Sequence, residues 1–294
     1  MEKPSVSVCT ITYGHEKFIA ETIEGVLMQE VNFPIEYIIA DDCSMDETER
    51  IVQAYIETHA RGHWITYTKH KKNKGMNPNF VWALEQCKGK YIAYCEGDDY
   101  WTDPSKLQKQ VDFLEDNKHY VISAHKSLEM SLDKQLQTSG KSQLKKDGNF
   151  NSILLNGLGM ATLSIVFRNQ IEKIPKWFLK SPNADYPLFL LLTEKGGKVK
   201  YMNEVMGVYR IHAGGIWSTA NKRQMGLSGV KAMNIANEGF NFKYDGLFKD
   251  AIAYRSWWFG LKEYTFINYL KGEVSFTFYR KYFMNKINKK IRGI

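Results

Sequence analysis

The chain has 294 residues, of which 44% are apolar and 24% charged, and this composition excludes a disordered or fibrous protein. No stretch approaches about 18 consecutive apolar residues and no signal-peptide pattern precedes the first apolar run, so we expect a cytoplasmic protein without a membrane-spanning helix. The formal net charge is +8, and residues 243–294 carry +7 of it. A basic tail on a nearly neutral body favours an acidic partner surface.

The four cysteines are sparse and show no metal-binding spacing. Cys9, Cys43, Cys87 and Cys95 form no C-x-x-C pair and have no paired histidines nearby, which argues against zinc. Cys9 and Cys95 lie in apolar runs, so we expect small buried side chains in a reducing compartment.

Strands and helices alternate through the first half of the chain. Apolar runs predict four strands, Ser5–Tyr13, Ile35–Ala40, Trp64–Lys69 and Tyr91–Cys95. Helical periodicity and start signals predict four helices, Phe18–Gln29, Asp46–Ala60, Asn77–Cys87 and Asp103–Asn117. Repeated β-α-β units predict an α/β fold with a mostly parallel sheet flanked by helices.

The second half is less regular. Its patterns predict three strands, which are Val121–His125, Ala161–Arg168 and Val205–His212. They also predict a helix over Asp185–Lys195 and a polar surface loop over Ser127–Gly148. From about Thr219 onwards the pattern is helical, basic and aromatic.

Three polar clusters follow predicted strands directly. They are Thr12–Glu16, Asp41–Ser44 and Glu96–Asp99. Ligands of parallel α/β sheets bind beyond the carboxyl ends of the strands. We therefore expect these clusters to meet at one edge of the sheet and form a site.

The run Glu96-Gly97-Asp98-Asp99 concentrates negative charge after the fourth strand. Adjacent carboxylates repel one another unless a cation neutralises them, and oxygen ligands suit Mg²⁺ or Mn²⁺. Such an ion can also bridge to a nucleoside diphosphate. The alternative is an acidic turn that is simply solvated or caps the next helix.

Asp41 and Asp42 have a similar pair of interpretations. They either cap a turn before the helix that begins near Asp46, or offer a carboxylate to a uracil or thymine imide N–H. Tyr13, at the end of the first strand, either stacks on that base or packs in the core.

Four ordered segments resemble glycosyltransferase family 2, whose members have the GT-A fold. The segments are VSVCTITYGHEKFI, IEYIIADDCSMDET, NKGMNPNFVWAL and GKYIAYCEGDDYWTDPSKLQKQ, which together cover roughly residues 5–115. The resemblance implies an inverting, metal-dependent transfer from a nucleotide-sugar, for which we expect uridine as the nucleoside. The commonest family motif begins with Asp where this chain has Glu96.

The same resemblance assigns roles to individual residues. Asp42 holds the base with Tyr13 beside it, and Asp99 is the main metal ligand. Asp98 contacts the ribose or diphosphate and is the second candidate metal ligand. The remaining members of the expected nucleotide-sugar site are Thr12, Glu16, Asn79 and Trp101.

An inverting transfer also needs a general base to deprotonate the acceptor hydroxyl. Asp185, at the start of the apolar helix YPLFLLLTEKGG, is the candidate that the resemblance favours, and a helix N-cap is the alternative. The resemblance also brings His212 to the metal or diphosphate. Arg210 either contacts the acceptor or is a structural ion-pair partner, and Trp217 either stacks on an acceptor sugar or packs.

Sixteen aromatic residues lie between Phe240 and Phe283, interleaved with Lys and Arg. They form either a helical subdomain that packs on the catalytic domain or an amphipathic surface on anionic lipid, where a lipid-linked acceptor would be found. Nucleic acid ranks below lipid because no nucleic-acid-binding motif accompanies the charge.

These patterns predict a GT-A catalytic domain over residues 1–218 and a helical extension over residues 219–294. The nucleotide-sugar half would end near residue 120 and the acceptor half would occupy 121–218. A nucleotidyltransferase remains an alternative, although the turn Gly14-His15-Glu16-Lys17 is poor in glycine for holding a triphosphate. A membrane-surface binding module with a decayed site is the non-enzymatic alternative.

Overall fold

A computed structural model describes residues 5–138, 147–156, 159–215 and 219–261. The chain divides into two compact units. The first comprises Met1–Phe150, Leu158–Ile174 and Leu191–Ala213, and the second comprises Asn151–Gly157, Pro175–Leu190 and Gly214–Ile294.

All nine strands of the described residues belong to one sheet in the first unit. They are β1 (Val6–Thr12), β2 (Ile35–Asp41), β3 (Ile65–Lys69), β4 (Tyr91–Tyr94), β5 (Tyr100–Trp101), β6 (Tyr120–Met130), β7 (Leu136–Thr138), β8 (Val166–Arg168) and β9 (Lys198–Arg210). The helices are α1 (Ile19–Leu27), α2 (Thr48–Thr58), α3 (Met76–Gln86), α4 (Lys106–Asp116), α5 (Phe150–Asn156), α6 (Asp185–Thr193), α7 (Lys222–Gly239) and α8 (Asp245–Phe259).

The strand order is β3-β2-β1-β4-β8-β6-β9-β5, with β7 paired to β6. The first four strands are parallel, as the β-α-β units predict. Strand β8 runs antiparallel to β4 and β6, and β9 is parallel to β6 but antiparallel to β5. The sheet is therefore mixed, with its parallel part mainly in the first four strands.

Three predictions in the second half are wrong in detail. The expected loop Ser127–Gly148 begins instead with the end of β6, which pairs with β7. The three residues of β7 are exposed, so the sequence of this strand shows no apolar pattern. Backbone hydrogen bonds to β6 hold β7 in the sheet. The expected strand Ala161–Arg168 starts as a 3₁₀ turn over Thr162–Ser164, because the Ser164 hydroxyl donates to the Ala161 carbonyl at 2.6 Å. Strand β9 starts seven residues earlier than the predicted Val205.

The core of the first unit lies against both faces of the parallel strands. Every residue of β1 is buried, and α1 contributes Ile19, Ile23 and Val26, each fully buried. Cys9, Cys87 and Cys95 are buried, and all four cysteines are reduced. Continuous apolar strands with amphipathic helices on the sheet are the arrangement that the sequence predicts.

Helices α7 and α8 belong to the second unit. Asn221 and Gln224 form a reciprocal capping box at the start of α7, and Gly260, at φ 71°, ends α8 in the left-handed conformation. No helix in the described part of the chain is both long and apolar enough to cross a membrane.

The division into units differs from the predicted boundary at residue 218. Segment Pro175–Leu190, expected in the catalytic domain, groups with the helices that follow Ala213. The predicted base Asp185 therefore shares a unit with α7 and α8.

A buried lysine lies at the start of α4. Lys106 is fully buried, its Nζ lies 3.9 Å from the centroid of the Trp101 ring, and this Nζ has no hydrogen-bond partner within the described part of the chain. Burial lowers the pKa of Lys106 to about 7. Burial and the nearby Lys106 charge also lower the pKa of His125 to about 3.

The Lys106 pKa predicts a pH-dependent stability. Unfolded lysine titrates near about 10.4, so between about pH 7 and pH 10 the unfolded chain binds a proton that the folded chain does not. The free energy of unfolding should rise with pH in this window, by at most roughly 1.4 kcal/mol per pH unit from this group. Urea unfolding of the wild type and Lys106→Met across the window should show a smaller rise in the variant.

Exposed Lys71→Met is the matched control and should keep the wild-type slope. Equal slopes for the wild type and Lys106→Met would contradict the assignment of a neutral buried amine.

Candidate functional site

The carboxyl ends of β1, β2 and β4 meet at one edge of the sheet. The Gly97 N–H donates to the Ile11 carbonyl at 3.0 Å, and the Asp42 N–H donates to the Thr12 carbonyl at 2.9 Å. The three predicted polar clusters are thus joined by backbone hydrogen bonds.

The acidic turn after β4 is tightly held. The Asp99 N–H donates to the Glu96 carbonyl at 3.1 Å, and the Thr22 hydroxyl lies 2.6 Å from the Asp99 carbonyl and 3.1 Å from that of Gly97. A Cβ on Gly97 would lie 2.7 Å from Thr12 Oγ1 and 2.9 Å from a His15 ring nitrogen. Glycine is therefore required for the turn to approach β1 this closely.

Three carboxylates of this turn converge. One oxygen from each of Glu96, Asp98 and Asp99 lies within 4.8 Å of the others. The Thr162 hydroxyl donates to Glu96 at 2.6 Å, and the Arg210 N–H donates to the fully buried Asp99 at 2.9 Å. This set of hard oxygen donors fits a divalent cation such as Mg²⁺ or Mn²⁺.

Two imidazoles flank the same turn. His212 Nε2 lies 2.9 Å from Asp98 Oδ2, and His15 Nε2 lies 4.0 Å from that oxygen. Burial opposes ionisation of Asp98, but the His212 hydrogen bond and the His15 charge outweigh it and hold the Asp98 pKa below its usual value. Burial also lowers the pKa of His15 despite the nearby Asp98 charge.

His15 was missed at the sequence level. Its only signal was its place in the polar turn after β1, and no spacing links it to His212, almost 200 residues later in the chain. His15, Asp98 and His212 form a second candidate ligand group, and contact of His212 with a metal or diphosphate stays a prediction.

Arg210 organises the acidic turn. It is only 5% exposed, donates to the Asp98 carbonyl at 2.7 Å and forms an ion pair with Glu21. Its guanidinium lies 4.2 Å from the centroid of the Tyr100 ring. The ion pair with Glu21 matches the structural alternative, and a contact between Arg210 and the acceptor stays a prediction.

Asp42 anchors the loop that leads into α3. Its two carboxylate oxygens accept the N–H groups of Lys74 at 2.7 Å and Gly75 at 2.9 Å. The side chain of Tyr13, by contrast, is 54% exposed, so its ring is accessible at the same edge.

Two residues expected at the nucleotide-sugar, Trp101 and Asn79, are almost completely buried. Trp101 is 2% exposed, donates its indole N–H to the Leu163 carbonyl at 2.8 Å and has the Lys106 Nζ over its ring. Asn79 is 1% exposed and bonds His70 Nε2 at 2.9 Å and the Ala40 carbonyl at 3.0 Å. Both side chains connect buried elements of the fold, and their contacts with a nucleotide-sugar stay predictions.

Glu16 accepts a hydrogen bond within the protein, and Thr12 is buried. The Glu16 carboxylate accepts the Glu47 N–H at 3.1 Å, which holds the turn before α2. Thr12 is 2% exposed, and its Oγ1 has no hydrogen-bond partner among the described residues. Thr12 thus lies beneath the Gly97 turn.

Asp185 begins α6 in the second unit. Its Oδ1 accepts the Tyr186 N–H at 2.8 Å, and the side chain is partly exposed. The helix-start geometry expected for Asp185 is confirmed, and its role as a base stays a prediction. Trp217 lies outside the described residues.

Comparisons with known proteins agree on the family. The family model described as glycosyl transferase family 2 matches residues 7–173. An uncharacterized protein of Mycobacterium tuberculosis, Rv1520, is 33% identical over 225 residues, which are 73% of this chain and 61% of that protein. The chain thus spans about three-fifths of the length of this relative. WfaP of Escherichia coli, named as a UDP-Glc:α-D-GlcNAc-diphosphoundecaprenol β-1,3-glucosyltransferase, is 29% identical over 85% of this chain and 97% of its own length.

Solved structures share the fold. Residues 1–349 of Staphylococcus aureus TarS, in complex with UDP-GlcNAc, superpose with a TM-score of 0.56 at 16% identity, covering 87% of this chain and 80% of that one. The Pyrobaculum calidifontis mannosyltransferase PcManGT, in complex with GDP-Man and Mn²⁺, has a TM-score of 0.55 at 14% identity, covering 87% and 74%. With its GT-A architecture and the match over residues 7–173, the chain belongs to glycosyl transferase family 2.

Proposed function

We propose that this chain transfers a hexosyl or N-acetylhexosaminyl group from a UDP-sugar to a glycan or lipid-linked acceptor, with inversion, in surface polysaccharide synthesis. The observation that carries the proposal is the convergence of the Glu96–Asp99 carboxylates with Tyr13 and Asp42 at the carboxyl edge of the parallel strands. Uridine is favoured by the names of WfaP and of the TarS complex.

The donor would lie along this edge. The accessible Tyr13 ring would stack on the base, and Asp42 retains lone pairs for an imide N–H beside the two backbone donors it already binds. The acidic turn would face the diphosphate.

Asp99, Asp98 and His212 would hold a divalent cation, with Glu96 and His15 adjacent. Such a cation would stabilise the negative charge that develops on the leaving diphosphate. Arg210 keeps the turn in place by binding the Asp98 carbonyl and the Asp99 carboxylate at once.

Asp185 would act as the general base. A carboxylate oxygen would accept the proton of the acceptor hydroxyl as that oxygen attacks the anomeric carbon, and the C–O bond to the diphosphate would break on the opposite face.

The variant Asp185→Asn tests this role. Asparagine keeps the shape and the helix-start hydrogen bond but cannot take the proton, so transfer from UDP-sugar should fall by roughly 10²–10⁴-fold. UDP affinity by calorimetry should be unchanged. Asp116→Asn, at an exposed position, is the control and should transfer at the wild-type rate. Wild-type turnover by Asp185→Asn would rule out the base assignment.

Cys43 offers a probe of the base-binding edge. It follows Asp42 directly and is partly exposed, whereas the other three cysteines are buried. We expect iodoacetamide to alkylate Cys43 selectively and to weaken UDP binding, and UDP with Mn²⁺ should slow the alkylation. Mass spectrometry of the labelled peptide measures the rate, with Cys43→Ser as the control. Alkylated protein that binds UDP at full affinity would place the nucleotide elsewhere.

The basic and aromatic C-terminal region would bind an anionic membrane surface on the cytoplasmic side. In its described part, Phe242 is 59% exposed and Trp258 is 55% exposed, and residues 262–294 lie outside the described residues. Exposed aromatics with basic neighbours favour an anionic interface.

Vesicle pelleting tests this surface. The protein should sediment with phosphatidylcholine vesicles that contain phosphatidylglycerol and remain in the supernatant with phosphatidylcholine alone. Trp258→Ser should reduce the bound fraction. Equal sedimentation with both vesicle types would contradict a lipid-specific surface. So would displacement of the protein from the vesicles by RNA that carries the same total charge as the anionic lipid.

A further inference from the structure

The turn after β1 places an imidazole beside the acidic turn. His15 Nε2 lies 4.0 Å from Asp98 Oδ2, and His212 Nε2 lies 2.9 Å from the same oxygen. One nitrogen of each imidazole and one oxygen of Asp98 all lie within 4.8 Å of one another. All three residues belong to the first unit of the chain. They form a mixed nitrogen and oxygen group, which differs in its donors from the three carboxylates of the same turn.

The distance between His15 and Asp98 does not correspond to a hydrogen bond. Hydrogen bonds from N–H to oxygen span about 2.7–3.2 Å. Two protein ligands of one ion, each with a bond of about 2.1 Å, can lie up to about 4.2 Å apart. The 4.0 Å from His15 Nε2 to Asp98 Oδ2 is therefore too long for a direct bond and short enough for a shared ion. The 2.9 Å from His212 to Asp98 fits either arrangement.

The His15 ring forms no hydrogen bond within the described residues. Its Nδ1 is buried without a partner, and its Nε2 has the Asp98 oxygen at 4.0 Å. The other contacts of the ring are edge contacts with Phe18 and His212. Buried polar atoms that serve only the fold ordinarily have a hydrogen-bond partner. The surroundings of Nε2, a carboxylate and a second imidazole, instead resemble the ligands of a metal ion.

The backbone and the neighbours of His15 fix its ring in this place. Its N–H donates to Thr48 Oγ1 at 3.1 Å, and its carbonyl accepts the Phe18 N–H at 2.9 Å, just before α1 begins. The centroid of the Phe18 ring lies 6.3 Å from that of His15 and 4.7 Å from that of His212. A Cβ on Gly97 would lie 2.9 Å from His15 Nδ1, so the absence of that side chain makes room for the imidazole.

We propose that His15 is a direct ligand of the divalent cation, through Nε2, together with Asp98 and His212. This inference rests on the proposed function, which places a cation at the acidic turn. It adds to the site a ligand from the turn after β1, and it narrows the choice of ion. Imidazole suits ions such as Ni²⁺, Fe²⁺ and Zn²⁺, whereas Mg²⁺ prefers oxygen ligands. A first-row transition ion, and not Mg²⁺, is therefore the ion that this site prefers.

The alternative is that His15 only packs against Phe18, while Asp98 and His212 form a simple hydrogen bond. The two roles differ in the number of histidine nitrogens bound to the ion. A packing role of His15 leaves at most one nitrogen, which belongs to His212. A ligand role of His15 requires two.

Hyperfine spectra of bound Mn²⁺ count these nitrogens without a measurement of activity. Protein labelled with ¹⁵N-histidine, and without a histidine tag, is mixed with UDP and Mn²⁺. The wild type should show two coordinated ¹⁵N nuclei, and His15→Gln and His212→Gln should each show one. His63→Gln, at an exposed position, is the matched control and should keep both nuclei.

Metal affinity supplies an independent arm. Calorimetry with UDP present should show that the wild type binds Ni²⁺ more tightly than Mg²⁺. His15→Gln should lower the affinity for Ni²⁺ by at least about tenfold, which is the loss typical of even an outer-shell partner. The affinity for Mg²⁺ should fall less, and His63→Gln should keep both affinities.

A single coordinated ¹⁵N nucleus in the wild type, kept in His15→Gln and lost in His212→Gln, would overturn this inference and leave the cation site of the proposed function standing. A wild type that binds no Mn²⁺ in the presence of UDP would overturn the cation site itself. If His15→Gln fails to fold, the wild type and His212→Gln decide the question. Two nuclei in the wild type and one in His212→Gln would then support His15 as the second ligand.

Discussion

Electrostatic repulsion within the turn after β4 is the constraint on which the site depends. One oxygen from each of three carboxylates lies within 4.8 Å of the others. Groups of the protein offset part of this repulsion. The Arg210 N–H donates to Asp99, the Thr162 hydroxyl donates to Glu96, and His212 lies beside Asp98. The remaining negative charge favours a divalent cation, and a site of this kind can hold a diphosphate against the sheet edge.

The antiparallel additions to the sheet explain how distant segments reach this turn. Strand β9 pairs with β5 directly after the acidic residues, and this pairing brings the end of β9 to Asp99. The pairing of the strands, and not the local sequence, therefore places Arg210 and His212 beside the acidic turn. Arg210 then connects this strand to α1 through its ion pair with Glu21, so that one buried guanidinium joins three parts of the chain.

The parallel half of the fold and its polar edge were predictable because alternating apolar runs and acidic strand ends carry a local signal. Long-range contacts carry none, and this is why His15 was missed and Arg210 was left with two interpretations. Trp101 and Asn79 show that a local resemblance does not by itself indicate which side chains are accessible to a ligand. Both stand in segments that resemble a nucleotide site, but burial among Leu163, Lys106 and His70 commits their polar atoms to the fold. Sequence pattern does not reveal which face of a turn a side chain occupies.

Calorimetric titration of UDP into the wild type and Asp99→Ala, with Mn²⁺ and with the metal chelated, tests the central claim most directly. If a bound cation completes the donor site, the wild type should bind UDP only when Mn²⁺ is present. Asp99→Ala should lose this metal-dependent binding while its melting temperature stays unchanged. Equal UDP affinity of Asp99→Ala and the wild type in the presence of Mn²⁺ would contradict the claim that the acidic turn holds the cation for the diphosphate.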